Sequence, residues 1–279
     1  MKVVLFCGGY GMRLREFSES IPKPMVTIGY RPILWHVMKY YAHHGHTDFI
    51  LCLGWKSNVI KDYFLNYNEC LSNDFVLKGG GRDVNLLNSD IQDWNITFVD
   101  TGIAANIGQR LKAVQPHLKG EGNFLANYTD GLSSVHLPEL INFHERTDAA
   151  ATFVSVRPSQ SFHRVSSNEE GVVQKVQEIS KTDTWMNGGY FVFSQEFFDY
   201  LGEGEEMVEE PFDRLISDGK LRSMKHSGFW GCMDTYKEKQ LLDDMHDRGD
   251  TPWAVWEKGN PVIPCTTPVS GFPALNLPR

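Results

Sequence analysis

Three groups of residues in this chain have the types and spacing needed to handle phosphate and metal chemistry. The first is Gly8-Gly9-Tyr10-Gly11-Met12-Arg13, with Lys23 following in Ile21-Pro22-Lys23-Pro24-Met25. Glycines after a strand let backbone N–H groups approach a phosphate or base closely, and nearby Arg and Lys supply charge that the backbone cannot. As a bare pattern the same residues make a tight β–α turn with surface cations. The second group is Tyr128-Thr129-Asp130-Gly131, an acidic residue directly after an apolar run. A carboxylate at the carboxyl end of a central strand is where α/β proteins hold Mg²⁺, a hard ion that takes oxygen ligands. An Asp-Gly turn has the same sequence. The third is Gly228-Phe229-Trp230-Gly231-Cys232-Met233-Asp234-Thr235, a second isolated carboxylate ahead of a helix. Taken alone it reads as a helix cap.

These side chains need elements to position them. Residues 2–7 are a short continuous apolar run, which reads as a buried strand feeding the glycine loop. Apolar positions recur at helical spacing from Ile33 to Tyr41 and stop at Gly45, a suitable residue just past a helix end. A second buried strand spans 48–53, a helix spans 58–64, and the polar, glycine-rich stretch around 79–81 reads as a connection to an alternating strand at 94–99. A helix over 111–118, a strand over 124–128, a helix over 138–146 with Pro in its first turn and a strand over 149–156 follow. This alternation predicts an α/β fold with a doubly wound, mainly parallel sheet in three α/β/α layers, because parallel strands need crossover helices. Past residue 157 come shorter strands (171–176, 190–193, 221–224) and helices at 209–217 and 235–248, which read as a smaller lobe. The expected division is 1–156 for nucleotide binding, 157–256 for the second lobe, and a proline-rich tail over 257–279.

Composition excludes several classes. With 279 residues, 41% hydrophobic and 22% charged, the chain is globular, which rules out collagen, disulfide scaffolds and general disorder. Its net charge of -8 without a basic block excludes a tracker of nucleic-acid backbones, so any bound phosphate is met by a few placed cations. The five cysteines are scattered without a C-x-x-C pair and read as reduced thiols of the cytoplasm. No apolar stretch approaches the ~20 residues of a membrane span, and the N-terminal run is too short for a signal peptide. The dinucleotide pattern G-x-G-x-x-G fails at Leu14 and no P-loop pattern occurs, so dehydrogenase and P-loop readings lose ground. His43-His44-Gly45-His46 reads as a solvated helix end rather than a metal site.

Taken in order, the pieces resemble the sugar-1-phosphate nucleotidyltransferases over residues 1 to about 256, and within them the branch that uses CTP and glucose 1-phosphate. The resemblance rests on Gly8-Gly9-x-Gly11-x-Arg13, Pro22-Lys23-Pro24-Met25, Pro32-Ile-Leu-Trp35-His36, Trp94-Asn-Ile-Thr-Phe-Val-Asp100-Thr101-Gly102 and Gly108-Gln109-Arg110-Leu111. It continues through Asp130-Gly131, Asn187-Gly188-Gly189-Tyr-Phe-Val192, Gly228-Phe-Trp230 and Met233-Asp234-Thr235. Each motif is weak alone; nine in sequence order are strong.

The resemblance implies a Rossmann-like fold with a C-terminal lobe for sugar binding and oligomerisation. It implies a reaction in which a sugar-1-phosphate oxygen attacks the nucleotide's α-phosphorus and pyrophosphate leaves. Asp130 and Asp234 would hold Mg²⁺, and Arg13 and Lys23 would be catalytic. Gly8, Gly9, Gly11, Thr101, Gly102 and Arg110 would bind the nucleotide, and Glu178, Lys181, Asn187 and Gly188 the sugar. The implied partners are CTP, a sugar 1-phosphate (glucose 1-phosphate by default) and further copies of the chain, with neither nucleic acid nor membrane. A uridylyl- or thymidylyltransferase acting on another sugar phosphate and a non-catalytic nucleotide-binding homologue stay open. The chain departs from the family pattern at Met12, where Thr is common, and at Thr129, where Gly is common. It also lacks the family's Glu-Lys-Pro, whose lysine serves the sugar's phosphate: here the segment is Val176-Gln-Glu178-Ile-Ser-Lys181. Either Lys181 reaches that phosphate or the acceptor is held differently. Trp185, close to Asn187, is a candidate stacking face for the sugar.

Overall fold

The computed structural model describes residues 1–9, 21–159 and 162–257. In chain order the strands are β1 (Val3–Phe6), a short hairpin of β2 (Thr27–Ile28) and β3 (Arg31–Pro32), β4 (Asp48–Leu53), a second hairpin of β5 (Phe75–Lys78) and β6 (Asp83–Leu86), β7 (Asn95–Asp100), β8 (Asn123–Asn127) and β9 (Gly131–Ser133). They continue with β10 (Ala151–Val156), a third hairpin of β11 (His163–Ser167) and β12 (Val173–Glu178), β13 (Met186–Ser194), β14 (Leu221–His226) and β15 (Trp230–Cys232). The helices are α1 (Ile33–His43), α2 (Ser57–Leu65), α3 (Ile107–Val114), α4 (Leu137–Glu145), α5 (Phe197–Tyr200), α6 (Glu210–Ser217) and α7 (Tyr236–Asp247).

Seven strands form the central sheet in the order β14-β10-β13-β8-β1-β4-β7. β1, β4, β7, β8, β10 and β14 run in one direction and β13 alone runs against them. The expected mainly parallel sheet is therefore present, and β13 and β14, from the segment after 157, are members of it. Alternate residues of the buried strands feed two separate cores, as a period of two requires. Val3, Leu5, Leu51 and Val192 face α1 and α4, whereas Val4, Phe6, Ile50, Phe191 and Phe193 face α3, α5 and α6. This is a three-layer α/β/α arrangement.

Two local readings change. The helix expected over 111–118 starts at Ile107, because the Asn106 side chain caps the Gln109 N–H while Gln109 caps Asn106, and its last four expected residues are a 3₁₀ turn, Gln115–Leu118. The glycine-rich stretch around 79–81 is the tip of the β5–β6 hairpin; Gly79, Gly80 and Gly81 all take φ values of +59° to +94°. Every residue of both hairpin strands is exposed, so no burial alternation marked them.

Candidate active site

All parallel strands deliver their carboxyl ends to one edge of the sheet, and the described residues of the three groups, Gly8, Gly9, Lys23, Asp130 and Asp234, collect there. β1 leads through Cys7, whose N–H donates to the Cys52 carbonyl at 3.0 Å, into Gly8 and Gly9. Gly9 is exposed, and no atom of the described residues lies within 4 Å of where its Cβ would stand. Gly8 is buried, and a Cβ on it would lie 2.0 Å from Arg110 Nη1. Gly11 and Arg13 lie outside the described residues.

Arg110, on α3, is 2% exposed, and no salt bridge joins it to a carboxylate among the described residues. Its guanidinium instead donates to backbone carbonyls of three neighbouring strand ends. Nη2 reaches Gly8 O at 3.0 Å, and Nη1 reaches Leu53 O at 3.2 Å, Gly102 O at 3.0 Å and Thr101 Oγ1 at 2.7 Å. Thr101 Oγ1 itself donates to Leu53 O at 2.7 Å. One side chain thus ties the ends of β1, β4 and β7 together beneath the glycine loop. Burial lowers the Arg110 pKa, yet guanidinium keeps its proton there. Arg110, Thr101, Gly102 and Gly8 therefore form one hydrogen-bonded unit at the strand ends.

Asp130 follows β8 through Thr129, which takes φ +65°, a left-handed conformation costing a β-branched residue ~1–2 kcal/mol. Two hydrogen bonds hold it there: Thr129 Oγ1 donates to Phe6 O at 2.9 Å, and the Thr129 N–H donates to Asn127 Oδ1 at 2.9 Å. The kink turns the chain so that Asp130 leaves the strand line. Glycine takes this backbone conformation without a Cβ penalty.

Asp234 comes from a segment 104 positions later. The β9–β15 ladder sets Gly131 opposite Cys232, and the Met233 N–H donates to Asp130 O at 2.8 Å, so the two acidic segments run side by side. Beyond it, Thr235 and Glu238 form a capping box that starts α7, and Glu238 Oε2 also accepts from the Asp234 N–H at 3.0 Å. The cap reading thus belongs to Thr235, leaving the Asp234 carboxylate available to the site.

Lys23 lies between the two carboxylates. It begins the 3₁₀ turn Lys23–Met25, fixed by prolines on either side, and Nζ donates to Asp130 Oδ2 at 2.7 Å and to Asp234 Oδ1 at 2.5 Å. The side chains are 14%, 27% and 32% exposed, a cleft rather than a core. Burial alone would lower the Lys23 pKa, but the Asp130 charge and the two hydrogen bonds outweigh it and hold the ammonium above its usual range. Burial pushes Asp130 up, against the pull of Lys23.

A hard divalent cation fits this group. Asp130, Asp234 and Cys232 present one ligand atom each within 4.8 Å of one another, the one such group of three among the described residues. Two carboxylate oxygens already converge on a single cationic nitrogen, which stands in for an ion. Burial and the neighbouring Asp130 charge hold the Cys232 thiol far above its usual pKa, so the donors offered are oxygens, as Mg²⁺-type ions prefer.

The four residues expected at the sugar divide. Asn187 and Gly188 start β13 close to Asp130. Asn187 Nδ2 lies 3.5 Å from Tyr128 Oη, Asn187 Oδ1 accepts from the Gly189 N–H at 2.8 Å, and the Gly188 carbonyl accepts from Trp230 Nε1 at 2.9 Å. A Cβ on Gly188 would stand 2.9 Å from Val156 Cγ1, so only glycine lets the strands close there. Glu178 and Lys181, by contrast, pair with each other at 2.8 Å at the end of the β11–β12 hairpin, and Lys181 is 74% exposed. Tyr128, Thr129 and Trp230 stood in the motifs quoted above but were assigned no role of their own; the positive φ of Thr129 left no sequence signal beyond its departure from Gly.

Comparison with known proteins agrees with this geometry. Residues 2–247 match the family model described as nucleotidyl transferase, and the chain belongs to that family. A Bacillus subtilis protein named "Probable glucose-1-phosphate cytidylyltransferase" is 39% identical over 92% of this chain and 100% of its own length. The glucose-1-phosphate cytidylyltransferase of Salmonella typhi is 38% identical over the same shares of each. Among solved structures, UDP-glucose pyrophosphorylase complexed with UDP-glucose superposes with a TM-score of 0.65 at 15% identity, covering 89% of this chain and 98% of that one, which establishes a common fold.

Proposed function

We propose that this protein transfers CMP from CTP to a sugar 1-phosphate, by default glucose 1-phosphate, giving a CDP-sugar and pyrophosphate. The observation that carries the reading is the convergence of Asp130 and Asp234, from distant segments, on one cation at the carboxyl edge of the central strands. The names of the relatives above supply CTP and glucose. In the reaction a non-bridging oxygen of the acceptor's phosphate forms a bond to the α-phosphorus while the bond from that phosphorus to the β-phosphate's bridging oxygen breaks. No proton need move, so the protein's task is placement and charge.

Gly8 and Gly9 present backbone to the nucleotide over the strand ends braced by Arg110, Thr101 and Gly102. Arg13, by resemblance, holds the triphosphate. Asp130 and Asp234 hold Mg²⁺, which when bound neutralises charge developing on the phosphates. Lys23, released from the carboxylates, places its ammonium against the reacting phosphate. Asn187 and Gly188 orient the acceptor's hydroxyls, and Glu178 approaches it from the β11–β12 hairpin. In this reading 1–156 forms the nucleotide half and 157–256 the acceptor half.

We further place the protein in the cytoplasm as a homo-oligomer. The described Cys7, Cys52, Cys70 and Cys232 are free thiols, and no helix among the described residues is long and apolar enough to cross a membrane. Exposed apolar residues on the β11–β12 hairpin, Val165, Val173 and Val176, support self-association. The test is Mg²⁺-dependent pyrophosphate release from CTP, UTP, dTTP, ATP and GTP against a panel of sugar 1-phosphates, with Asp130→Asn as control. Release with CTP that the control loses is expected; silence across the panel with nucleotide still bound overturns the reading in favour of a non-catalytic binder.

A further inference from the structure

A phosphate-bearing acceptor beside Asn187 needs positive charge, and the lysine expected to provide it is turned back on Glu178. Two other cations gather nearby instead. Arg157 Cζ lies 4.7 Å and Lys225 Nζ 4.8 Å from the centroid of the Trp185 ring. Ser155 on β10 stands opposite both Asn187 on β13 and Lys225 on β14, so Asn187, Ser155 and Lys225 form one row across three strands. Arg157 is two residues past Ser155 and Trp185 two before Asn187, which puts all of them on one face of the sheet. β10 and β14 run in the same direction as β8, so this face opens at the edge that carries Asp130.

The ring foreseen as a sugar-stacking face therefore holds two cations. Cation–π attraction holds each of them against the ring. Arg157 is oriented by a hydrogen bond to the Thr182 carbonyl, and Asp183 Oδ1, on an 85% exposed side chain, lies 3.8 Å from Nη2. A planar guanidinium and a flexible ammonium that share one aromatic ring are a set suited to a phosphate or carboxylate group.

We propose that Arg157 and Lys225, gathered on Trp185, bind an anionic group of the acceptor and so help set which sugar phosphate is used. This rests on the preceding reading that the acceptor is a sugar 1-phosphate. The anionic group is either the 1-phosphate itself or a carboxylate on the sugar. Calorimetry separates the two, with protein pre-loaded with Mg²⁺ and α,β-methylene CTP, which cannot transfer, and titrated with glucose 1-phosphate or glucuronic acid 1-phosphate.

Arg157→Gln and Lys225→Gln are each expected to weaken acceptor binding about 10–100-fold while affinity for the CTP analogue and the melting temperature hold. Arg157→Lys should retain part of the affinity. An equal loss for both acceptors assigns the pair to the 1-phosphate. A wild-type preference for the glucuronic compound that the variants erase assigns it to the sugar's carboxylate. Unchanged acceptor affinity in both Gln variants overturns the proposal. Wild-type protein that binds the analogue but neither acceptor overturns the sugar-phosphate reading and this proposal with it.

Discussion

Two of the clusters in which basic side chains meet carboxylates are built differently. Arg31 and Asp90 are 1% and 8% exposed. Arg31 Nη1 donates to Tyr63 Oη at 3.2 Å, Nη2 to Asn68 O at 3.0 Å and to Asp90 Oδ2 at 3.3 Å, and its guanidinium stacks 4.2 Å from the centre of Tyr67. Tyr67 Oη, Ser72 Oγ and Lys39 Nζ add further donors to Asp90. Lys23, in contrast, touches Asp130 and Asp234 through one nitrogen atom in an open cleft. A planar fork saturated by fixed partners cannot be exchanged, whereas a compact ammonium on a flexible stem can give up its place to another cation. The first cluster holds the β2–β3 hairpin, α1 and the 67–90 segment together; the second is built for turnover.

That contrast can be broken by experiment, and the largest effect belongs to the open cluster. Asp130→Asn and Asp234→Asn should each lower pyrophosphate release by several kcal/mol of barrier, about 10²–10³-fold or more, with little change in melting temperature. An equal loss of folding stability in these variants would erase the distinction. Arg31→Ala should do the reverse, leaving Asp90 buried without its main partner at a cost of about 3–5 kcal/mol in urea unfolding, with activity per folded molecule retained.

A pH effect of similar size should come from His36, whose ring packs edge-on against Trp35 at 5.2 Å behind the closed cluster. Burial lowers its pKa from 6.5 to about 4, so the unfolded chain binds a proton that the folded one refuses between those values. Stability should thus fall as pH drops from 6.5 to 4, by about 3 kcal/mol from this group, and be fully present above 6.5. Unfolding free energies at pH 7, 5.5 and 4.5 test this, and a His36→Gln variant with an unchanged slope would remove His36 from the account.

Smaller effects sharpen the open site. Lys23→Met removes the competitor for the carboxylates and should tighten Mg²⁺ binding without nucleotide by about tenfold in calorimetry, although turnover falls. Weaker metal binding in that variant would show that the ammonium is no stand-in. Thr129→Gly should stay within about 1 kcal/mol of wild type, since relief at φ +65° offsets the lost hydrogen bond to Phe6 O, whereas Thr129→Val keeps the strain and loses the bond. A larger loss in the glycine variant than in the valine variant would contradict the strain assigned to Thr129.

Much of this was legible in the sequence where chemistry and periodicity are local. The apolar run of β1, the helical spacing of α1 and the apolar lead into Asp130 place the glycine loop and one carboxylate without coordinates. β9 and β15 have three residues each, too short to leave a period, so the ladder that brings Asp234 beside Asp130 was invisible. Lys181 shows the opposite failure: residue type and position suited a phosphate, but its partner at 2.8 Å is Glu178. Arg157 and Lys225 drew no attention, because a row across β13, β10 and β14 joins residues with no common spacing along the chain.

The sequence by itself determined the layered α/β architecture and the identity of the charged groups, because burial periodicity and residue chemistry are properties of short stretches of chain. Only the tertiary structure decided which cations face which anions. Arg110 is turned down onto three strand ends, Lys23 is placed between two carboxylates, and Arg157 and Lys225 meet on the Trp185 ring. Such pairings depend on strand order and register between segments far apart in the chain, and electrostatic energy acts on distance in space rather than along the chain.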